Sequence, residues 1–213
     1  MQFTKSITFY LIMLNFFVFF LESILPFNVI NILGLVPESA IHQGMVWQFV
    51  TFLFVHGGFM HIFLNMFVLF MFGPTIEIEF GRKKFLIFYL ICGIGSALLH
   101  IFLVFTYPTL TNPENIAAAM TTPLIGASGA VMGLLTAFAI MFPKRIIFFN
   151  FIPMPAIAFL ILYGAIEFLS GISGIETGVA HFGHLGGMLA ALILLYGFKF
   201  KERKKIEFIW EYR

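Results

Sequence analysis

Residues 126–129, Gly-Ala-Ser-Gly, place Ser128 between small residues immediately before an apolar run at 130–141. Small residues are common wherever membrane helices pack, so the ordinary role of such a serine is a helix cap or a packing residue. Two other polar segments interrupt apolar sequence, HGGFMHIFLN at 56–65 and AHFGHLGG at 180–187. Whether the three segments meet depends on the topology of the chain, which its composition and charges constrain.

The composition identifies a polytopic membrane protein. Of the 213 residues, 61% are hydrophobic and 10% are charged, whereas globular domains average about 45–50% apolar and about 25% charged residues. Aspartate is absent, since all ten acidic residues are glutamates. Cys92 is the single cysteine, so no intramolecular disulfide can form. We expect an all-α protein that is surrounded by the lipid bilayer and has no nucleic-acid partner.

Six apolar stretches are candidates for membrane spans, because about 20 residues are needed to cross about 30 Å of hydrocarbon. The first lacks a cleavage site of the signal-peptide type, which favours an uncleaved helix. The fourth is short for a complete span. The stretches lie at 7–25, 60–77, 85–105, 128–142, 155–169 and 180–198.

The positive charges predict the orientation of these spans. Lys5 precedes the first span, Arg-Lys-Lys at 82–84 separates the second from the third, and Lys144 and Arg145 separate the fourth from the fifth. The others follow the sixth span, in 199–213. With the N-terminus inside, all twelve Lys and Arg residues fall on the cytoplasmic side, as the positive-inside rule requires. We therefore predict a bundle of six transmembrane helices with both termini inside (N-in/C-in), in a bacterial inner membrane.

The sequence allows two interpretations each for the first outer loop and for the C-terminal tail. Residues 26–54 form a long, aromatic first loop without Lys or Arg, which either lies at the membrane interface or folds as a cap over the bundle. The proline-containing loop 106–125 delivers Ser128 to the outer end of the fourth span. The basic tail 199–213 is either amphipathic and bound to anionic headgroups or solvated, and we assign it no catalytic role.

The predicted topology places the polar residues at one depth. Ser128 and the histidines at 56, 61, 181 and 184 lie at the outer ends of spans that run from outside to inside. A single histidine at a helix end is more often structural than catalytic, but polar groups at membrane depth are a functional hypothesis. Small residues on the fourth and sixth spans allow the backbones of these two helices to approach closely. They are Gly129, Gly133 and Ala137 on the fourth span, and Gly187 and Ala191, after His184, on the sixth.

The chemistry that fits these groups is acyl transfer. Ser128 is the candidate nucleophile, and His184 is the base that takes its proton and returns it to the leaving amine. The candidate oxyanion donors are the Ser128 amide, at a helix N-terminus, and the side chains of His61 and Asn65, which share a helix face at i,i+4 spacing. Bonding to a neighbouring helix is the structural alternative for Asn65.

Two alternatives to a Ser–His dyad give the histidines another partner, either a glutamate or a zinc ion. Glu167 and Glu176 can in principle support a base where aspartate is absent, but neither has a pattern that ties it to His184, so a Ser–His dyad is favoured. Zinc is a further alternative, although no carboxylate or cysteine accompanies the four imidazoles, and we expect no metal and no cofactor. Those imidazoles belong to His56, His61, His181 and His184.

The chain resembles the rhomboid intramembrane serine proteases over residues 40–198, on five motifs that occur in order. The motifs are WQFVT at 47–51, H-x4-H-x3-N at 56–65, FG-x3-E-x3-G at 72–81, GASG-x3-G at 126–133 and AH-x2-H-x2-G at 180–187. The resemblance implies a six-helix core with a water-filled cavity that opens to the outer face. The first helix and the start of the outer loop, at 1–39, precede the matched residues 40–198, and the first helix completes the six-helix bundle. The basic cytoplasmic tail follows, at 199–213.

The family motifs also imply roles for single residues. Ser128 matches the nucleophile, and the glycine and small residue that follow His184 select it over His181 as the base. His61 and Asn65 match the oxyanion hole. Supporting roles are implied for His56, Gly126, Gly129 and His181.

The implied activity is cleavage of other membrane proteins within or beside a transmembrane segment. Two positions depart from the family pattern: Gln48 stands where arginine is frequent, and Ala191 stands where glycine is usual. Because Ser128 and His184 are both present, we expect an active enzyme. The alternative is a catalytically inactive relative that binds membrane proteins as a chaperone does.

Overall fold

The computed structural model describes residues 3–25, 29–106, 120–149, 151–173 and 180–197. The predicted tail at 199–213 and Glu176 lie outside these ranges. A helix occupies each predicted span, with ends within four residues of the prediction. In chain order the main helices are α1 (Ile7–Ile24), α2 (Val29–Leu33), α3 (Pro37–His42), α4 (Gln48–Thr51), α5 (Phe59–Phe80), α6 (Arg82–Thr106), α7 (Ser128–Met141), α8 (Ala156–Ser173) and α9 (His181–Gly197).

Within the described ranges, four helices are long and apolar enough to cross a membrane: α1, α5, α8 and, over Arg82–Leu103, α6. The helices α7 and α9 are apolar but shorter, with 14 and 17 residues. The prediction of a largely helical, multi-pass membrane protein is therefore confirmed. The count of six spans and their orientation stay predictions.

The core of the bundle is α7. Every residue of this helix except Ser128 and Ile140 is buried, as expected of a helix that is apolar on all its faces. The helices α5, α6, α8 and α9 all contact it. Ser128 therefore stands at one end of the most enclosed of the described helices.

A buried carboxylate, Glu77, holds α1 against α5. Its oxygens accept the backbone N–H groups of Ile7 and Thr8 at 2.8 and 2.9 Å and the Thr8 hydroxyl at 2.8 Å. The first N–H groups of a helix have no partner within it and carry partial positive charge, so the carboxylate caps α1. At Gly73, one turn earlier on α5, a β-carbon would lie 2.7 Å from the Thr8 methyl group. The motif at 72–81 thus docks the first helix.

The first outer loop is folded around Gln48, which is fully buried. The Gln48 amide nitrogen donates to the carbonyls of Asn31 and Ile32 at 3.0 and 3.3 Å, and its oxygen accepts the Val36 N–H at 3.1 Å. Gln48 thereby ties α4 to α2 and to the start of α3. Arginine is frequent at this position in the family pattern, but an arginine side chain can donate and cannot accept a hydrogen bond. Glutamine therefore suits a position that must do both.

A β-hairpin joins α7 to α8, where the sequence analysis predicted no strand. Strand β1 (Ile146–Phe149) pairs in antiparallel register with β2 (Ile152–Pro155). The run Ile-Ile-Phe-Phe at 146–149 consists of β-branched and aromatic residues, which favour strands. The turn includes Phe151 in the left-handed region, with a φ of +68°. The prediction of an all-α chain is therefore wrong for this connection.

Candidate active site

Ser128 is the first residue of α7, and it is partly exposed. The chain reaches it through Gly126, whose φ of +111° is a conformation that favours glycine. The Gly126 N–H donates to the Phe52 carbonyl at 3.0 Å, and Leu124 forms two backbone hydrogen bonds with Leu35. The segment before the serine is therefore anchored to the first loop. The Ser128 amide belongs to the first turn of a helix, where N–H groups have no partner within the helix.

The helices α7 and α9 touch through their backbones next to Ser128. A β-carbon at Gly187 would overlap the carbonyl of Gly129. The Gly183 carbonyl oxygen lies 3.4 Å from the position of a Gly129 β-carbon. Ser128 and His184 are the chain neighbours of Gly129 and Gly183, so this contact brings their backbone segments together. It confirms the close approach that the small residues of the fourth and sixth spans predict.

His184 is buried and faces a carboxylate. Its Nδ1 lies 3.0 Å from Oε1 of Glu167, within ion-pair distance but off the line of a hydrogen bond. The other oxygen, Oε2, is hydrogen-bonded to Nδ1 of His181 at 2.7 Å. Glu167 is only 3% exposed. Burying a charged group is costly unless it is paired, and here two imidazoles lie next to it.

Sequence reasoning set Glu167 aside, whereas the structure brings it to both histidines. The signal that was available is topological: Glu167 lies near the end of α8, and His184 lies near the start of α9. Antiparallel helices joined by a short connection place these two ends side by side. Tyr163, one turn before Glu167, also interacts with the carboxylate.

His61 lies against the segment that carries Ser128, whereas Asn65 bonds to its own helix. The His61 ring is so close to Gly126 that a β-carbon there would lie 2.6 Å from Nε2. Asn65 is nearly buried, and its Nδ2 donates to the His61 carbonyl at 2.9 Å. That bond uses one of the two amide hydrogens, so the second remains for another acceptor.

His56 is buried beside His61 and contacts the residue before the serine. Its Nε2 accepts the Ala127 N–H at 3.5 Å, and its ring packs edge-to-face on His61 with the centroids 5.0 Å apart. The His56 backbone N–H donates to the Glu22 carboxylate at 3.3 and 3.4 Å. Burial and, secondly, the positive charge of a protonated His61 lower the pKa of His56 to about 4. His56 is therefore neutral at neutral pH, with Nε2 as an acceptor.

The four histidines of the polar segments divide into two groups. His56 and His61 pack on each other, while His181 and His184 share Glu167. Across the ranges that the structure describes, no three His, Cys, Asp or Glu side chains are arranged to hold a metal ion. The arrangement offers a partly exposed hydroxyl, a carboxylate-paired imidazole and polar donors on α5, which are the groups that acyl transfer needs.

Comparison with known proteins gives a family and several relatives. The family model for the rhomboid domain matches residues 43–200. RHOMBOID-like protein 1 of Arabidopsis thaliana is 32% identical over 164 residues, which cover 76% of this chain and 36% of that protein. Rhomboid protease AarA of Providencia stuartii is 28% identical over 155 residues, covering 70% of this chain and 54% of that protein.

A further relative is Rhomboid protein 1, mitochondrial, of Saccharomyces cerevisiae. It is 28% identical over 145 residues, which cover 68% of this chain and 39% of that protein. The chain thus spans between 36% and 54% of the length of these three relatives.

Proposed function

The chain belongs to the rhomboid family, and we propose that it is an intramembrane serine endopeptidase. Its proposed substrates are transmembrane segments of other membrane proteins, with Ser128 as the nucleophile and His184 as the general base. The observation that carries the proposal is the backbone contact of Gly129 with Gly183 and Gly187, since it brings the nucleophile and base segments together. A relative named as a rhomboid protease supports the same activity.

In the proposed reaction, the Ser128 oxygen attacks the scissile carbonyl carbon while its proton passes to Nε2 of His184. The C–N bond of the tetrahedral intermediate then breaks, and the leaving amine takes that proton. Water next gives a proton to His184, and its oxygen attacks the acyl carbon. The bond to Ser128 breaks last, the serine regains its proton, and the new carboxyl terminus is released.

The proposed oxyanion donors are the Ser128 N–H, the His61 ring and the second amide hydrogen of Asn65. Donors that are fixed before the reaction stabilise the charge as it develops, without the cost of reorganising solvent. The packing of His61 against Gly126 and the bond of Asn65 to its own helix support this role, because both limit movement. His56 is assigned a supporting role, since its Nε2 is already occupied by the Ala127 N–H.

The length of α7 supports a site below the outer surface of the membrane. A helix of 14 residues is about 21 Å long, which is less than the roughly 30 Å of hydrocarbon. We propose that this shortfall, with neighbouring helices around α7, leaves a space above Ser128 that water can enter. Water in such a space can reach the acyl enzyme, which hydrolysis requires.

We further infer that α7 and α9 complete a bundle of six spans with both termini inside. The core at 40–198 then carries the site, residues 1–39 precede it, and the tail at 199–213 lies in the cytoplasm. The positive-inside distribution of Lys and Arg supports this orientation, with the site open to the outer face of a bacterial inner membrane.

The test uses purified protein in liposomes together with a model substrate of one transmembrane segment. We expect product fragments and labelling of Ser128 by a fluorophosphonate, and we expect Ser128→Ala and His184→Ala to abolish both. Cleavage that persists in Ser128→Ala would contradict the mechanism. Substrate binding by the wild type without any fragments would instead identify an inactive relative that holds transmembrane segments.

A further inference from the structure

Glu167 lies between the two histidines that begin α9. Its carboxylate oxygens lie 2.7 Å from Nδ1 of His181 and 3.0 Å from Nδ1 of His184. All three side chains are largely buried, with 4% of the Glu167 side chain, 13% of that of His181 and 11% of that of His184 exposed. Each oxygen of this carboxylate therefore has its own imidazole.

A packing role alone does not explain why a carboxylate occupies this position. Replacing a buried ion pair by apolar residues of similar volume is often neutral or stabilising, so such a pair is weak evidence of a contribution to stability. The position of the carboxylate is more informative. It faces the Nδ1 edge of the proposed base, which leaves Nε2, on the other edge of the ring, for the proton of Ser128.

We propose that Glu167 is the positioning residue of the base: it orients the His184 ring through Nδ1 and offsets the charge that the ring gains from the Ser128 proton. His181 holds the carboxylate in place through the other oxygen. This inference rests on the proposed endopeptidase function, in which Ser128 and His184 remain the residues that touch the substrate.

The protonation states follow from the proposed pairing of Nδ1 with Oε1. An Nδ1–H of His184 directed at Oε1 selects the tautomer whose Nε2 is a free acceptor. When Nε2 takes the Ser128 proton, the ring becomes positively charged and the carboxylate remains ionised, so no further proton moves. The 3.0 Å contact is not aligned as a hydrogen bond, so the proposed role requires the ring to rotate until its N–H points at Oε1. Catalytic hydrogen bonds are often poorly aligned before a substrate binds.

Several polar groups surround this pair. His61 on α5 interacts electrostatically with His184, and Tyr163 on α8 interacts with Glu167. On α6, the Ser96 hydroxyl lies 3.1 Å from the position of a Gly183 β-carbon, next to His184. Among the groups described around His184, Glu167 is the one that is anionic at neutral pH. Its removal therefore disfavours the protonated imidazole.

The experiment compares wild type with Glu167→Gln, which keeps the shape of the side chain and removes its charge. In serine proteases that orient the base with an aspartate, changing it to the amide lowers kcat by about 10⁴-fold. Here we expect kcat to fall by about 10²-fold or more, with little change in KM. We also expect slower fluorophosphonate labelling of Ser128. In a plot of kcat/KM against pH, the acid limb should move to lower pH, because His184 loses its proton more easily without the neighbouring negative charge.

The matched control is Glu77→Gln, which changes an equally buried glutamate far from the site. This control should lower the unfolding temperature and leave the acid limb in place. A wild-type kcat for Glu167→Gln would overturn the inference, as would a loss of activity without any movement of the acid limb. If Glu167→Gln does not fold, the Glu167→Asp variant tests the inference in its place. It keeps the charge but withdraws it from His184, so an unchanged kcat would also overturn the inference.

The same measurements separate this inference from the proposed function. If the wild type neither cleaves the substrate nor reacts with the fluorophosphonate, the endopeptidase function fails. If the wild type is active and Glu167→Gln behaves like Glu77→Gln, only the role of Glu167 fails.

Discussion

Gly187 faces the carbonyl of Gly129 so closely that no side chain fits between the two residues. The contact joins α7 to α9 one residue after the candidate nucleophile and three residues after the candidate base. The distance between these two groups therefore depends on the absence of a single methyl group. The contact therefore predicts that the proposed site, like the fold, needs a small residue at 187.

We expect Gly187→Ala to push α7 and α9 apart. Overpacking of this kind typically costs about 1–3 kcal/mol of stability, and a displacement of about 1 Å in a catalytic site can cost about 10²-fold in rate. Thermal unfolding in detergent and cleavage of the model substrate measure the two effects. Gly197→Ala on the same helix is the control, because nothing lies within 4 Å of a β-carbon at that position. Wild-type activity in Gly187→Ala would show that the contact does not set the site.

Asn65→Ala is expected to lower kcat by about 10²–10³-fold, the usual cost of one lost oxyanion donor. KM should change little, because the lost bond forms only as negative charge develops on the oxygen. The control is Asn15→Ala on α1, since Asn15 makes the same type of bond, from Nδ2 to the carbonyl of Leu11, at 2.7 Å. Equal kcat losses in the two variants would point to a structural role for Asn65.

Gln48→Leu is expected to loosen the first loop without abolishing catalysis. The change leaves the buried Val36 N–H without its acceptor, which typically costs about 1–3 kcal/mol, and it removes the hydrogen bonds to the carbonyls of Asn31 and Ile32. Limited proteolysis of the folded protein should then cut between residues 31 and 48, where the wild type resists. Gln43→Leu, at an exposed position in the same loop, should behave as wild type. A Gln48→Leu variant that resists the protease equally would refute the role assigned to this amide.

The low pKa of His56 predicts acid sensitivity of the fold. In the unfolded chain a histidine titrates near pH 6.5, but in the folded protein His56 titrates near pH 4. As the pH falls from about 6.5 to 4, the unfolded state therefore binds a proton that the folded state does not. Stability should decrease over this window, by up to about 3 kcal/mol.

The variant that checks this pH dependence is His56→Gln, whose side-chain oxygen can still accept the Ala127 N–H but does not titrate. Its unfolding temperature should fall less steeply between pH 6.5 and 4.5 than that of the wild type. His42→Gln removes a histidine whose side chain is 60% exposed, and it serves as the control for the loss of any one histidine. A slope in His56→Gln identical to that of the wild type would exclude His56 as the source.

Much of the architecture was predictable because it depends on local sequence and on the overall apolar composition of each segment. Apolar runs of span length locate helices regardless of their neighbours, so α1, α5, α6, α7, α8 and α9 lie within a few residues of the predicted spans. The hairpin was missed because residues 146–155 are short and apolar, and a short apolar run does not distinguish a strand from part of a buried helix.

The sequence by itself determined that this is a multi-pass helical membrane protein with a serine and several histidines in its apolar segments, since composition and spacing carry that information. The tertiary structure alone decided that Glu167 meets His184, that Glu77 caps α1 and that Gln48 organises the first loop. Each of these contacts joins residues from different helices or loops. Such a contact depends on which helices are neighbours and on how each helix is rotated about its axis. Both are set by packing between residues that are distant in the chain, such as Gly129 and Gly187.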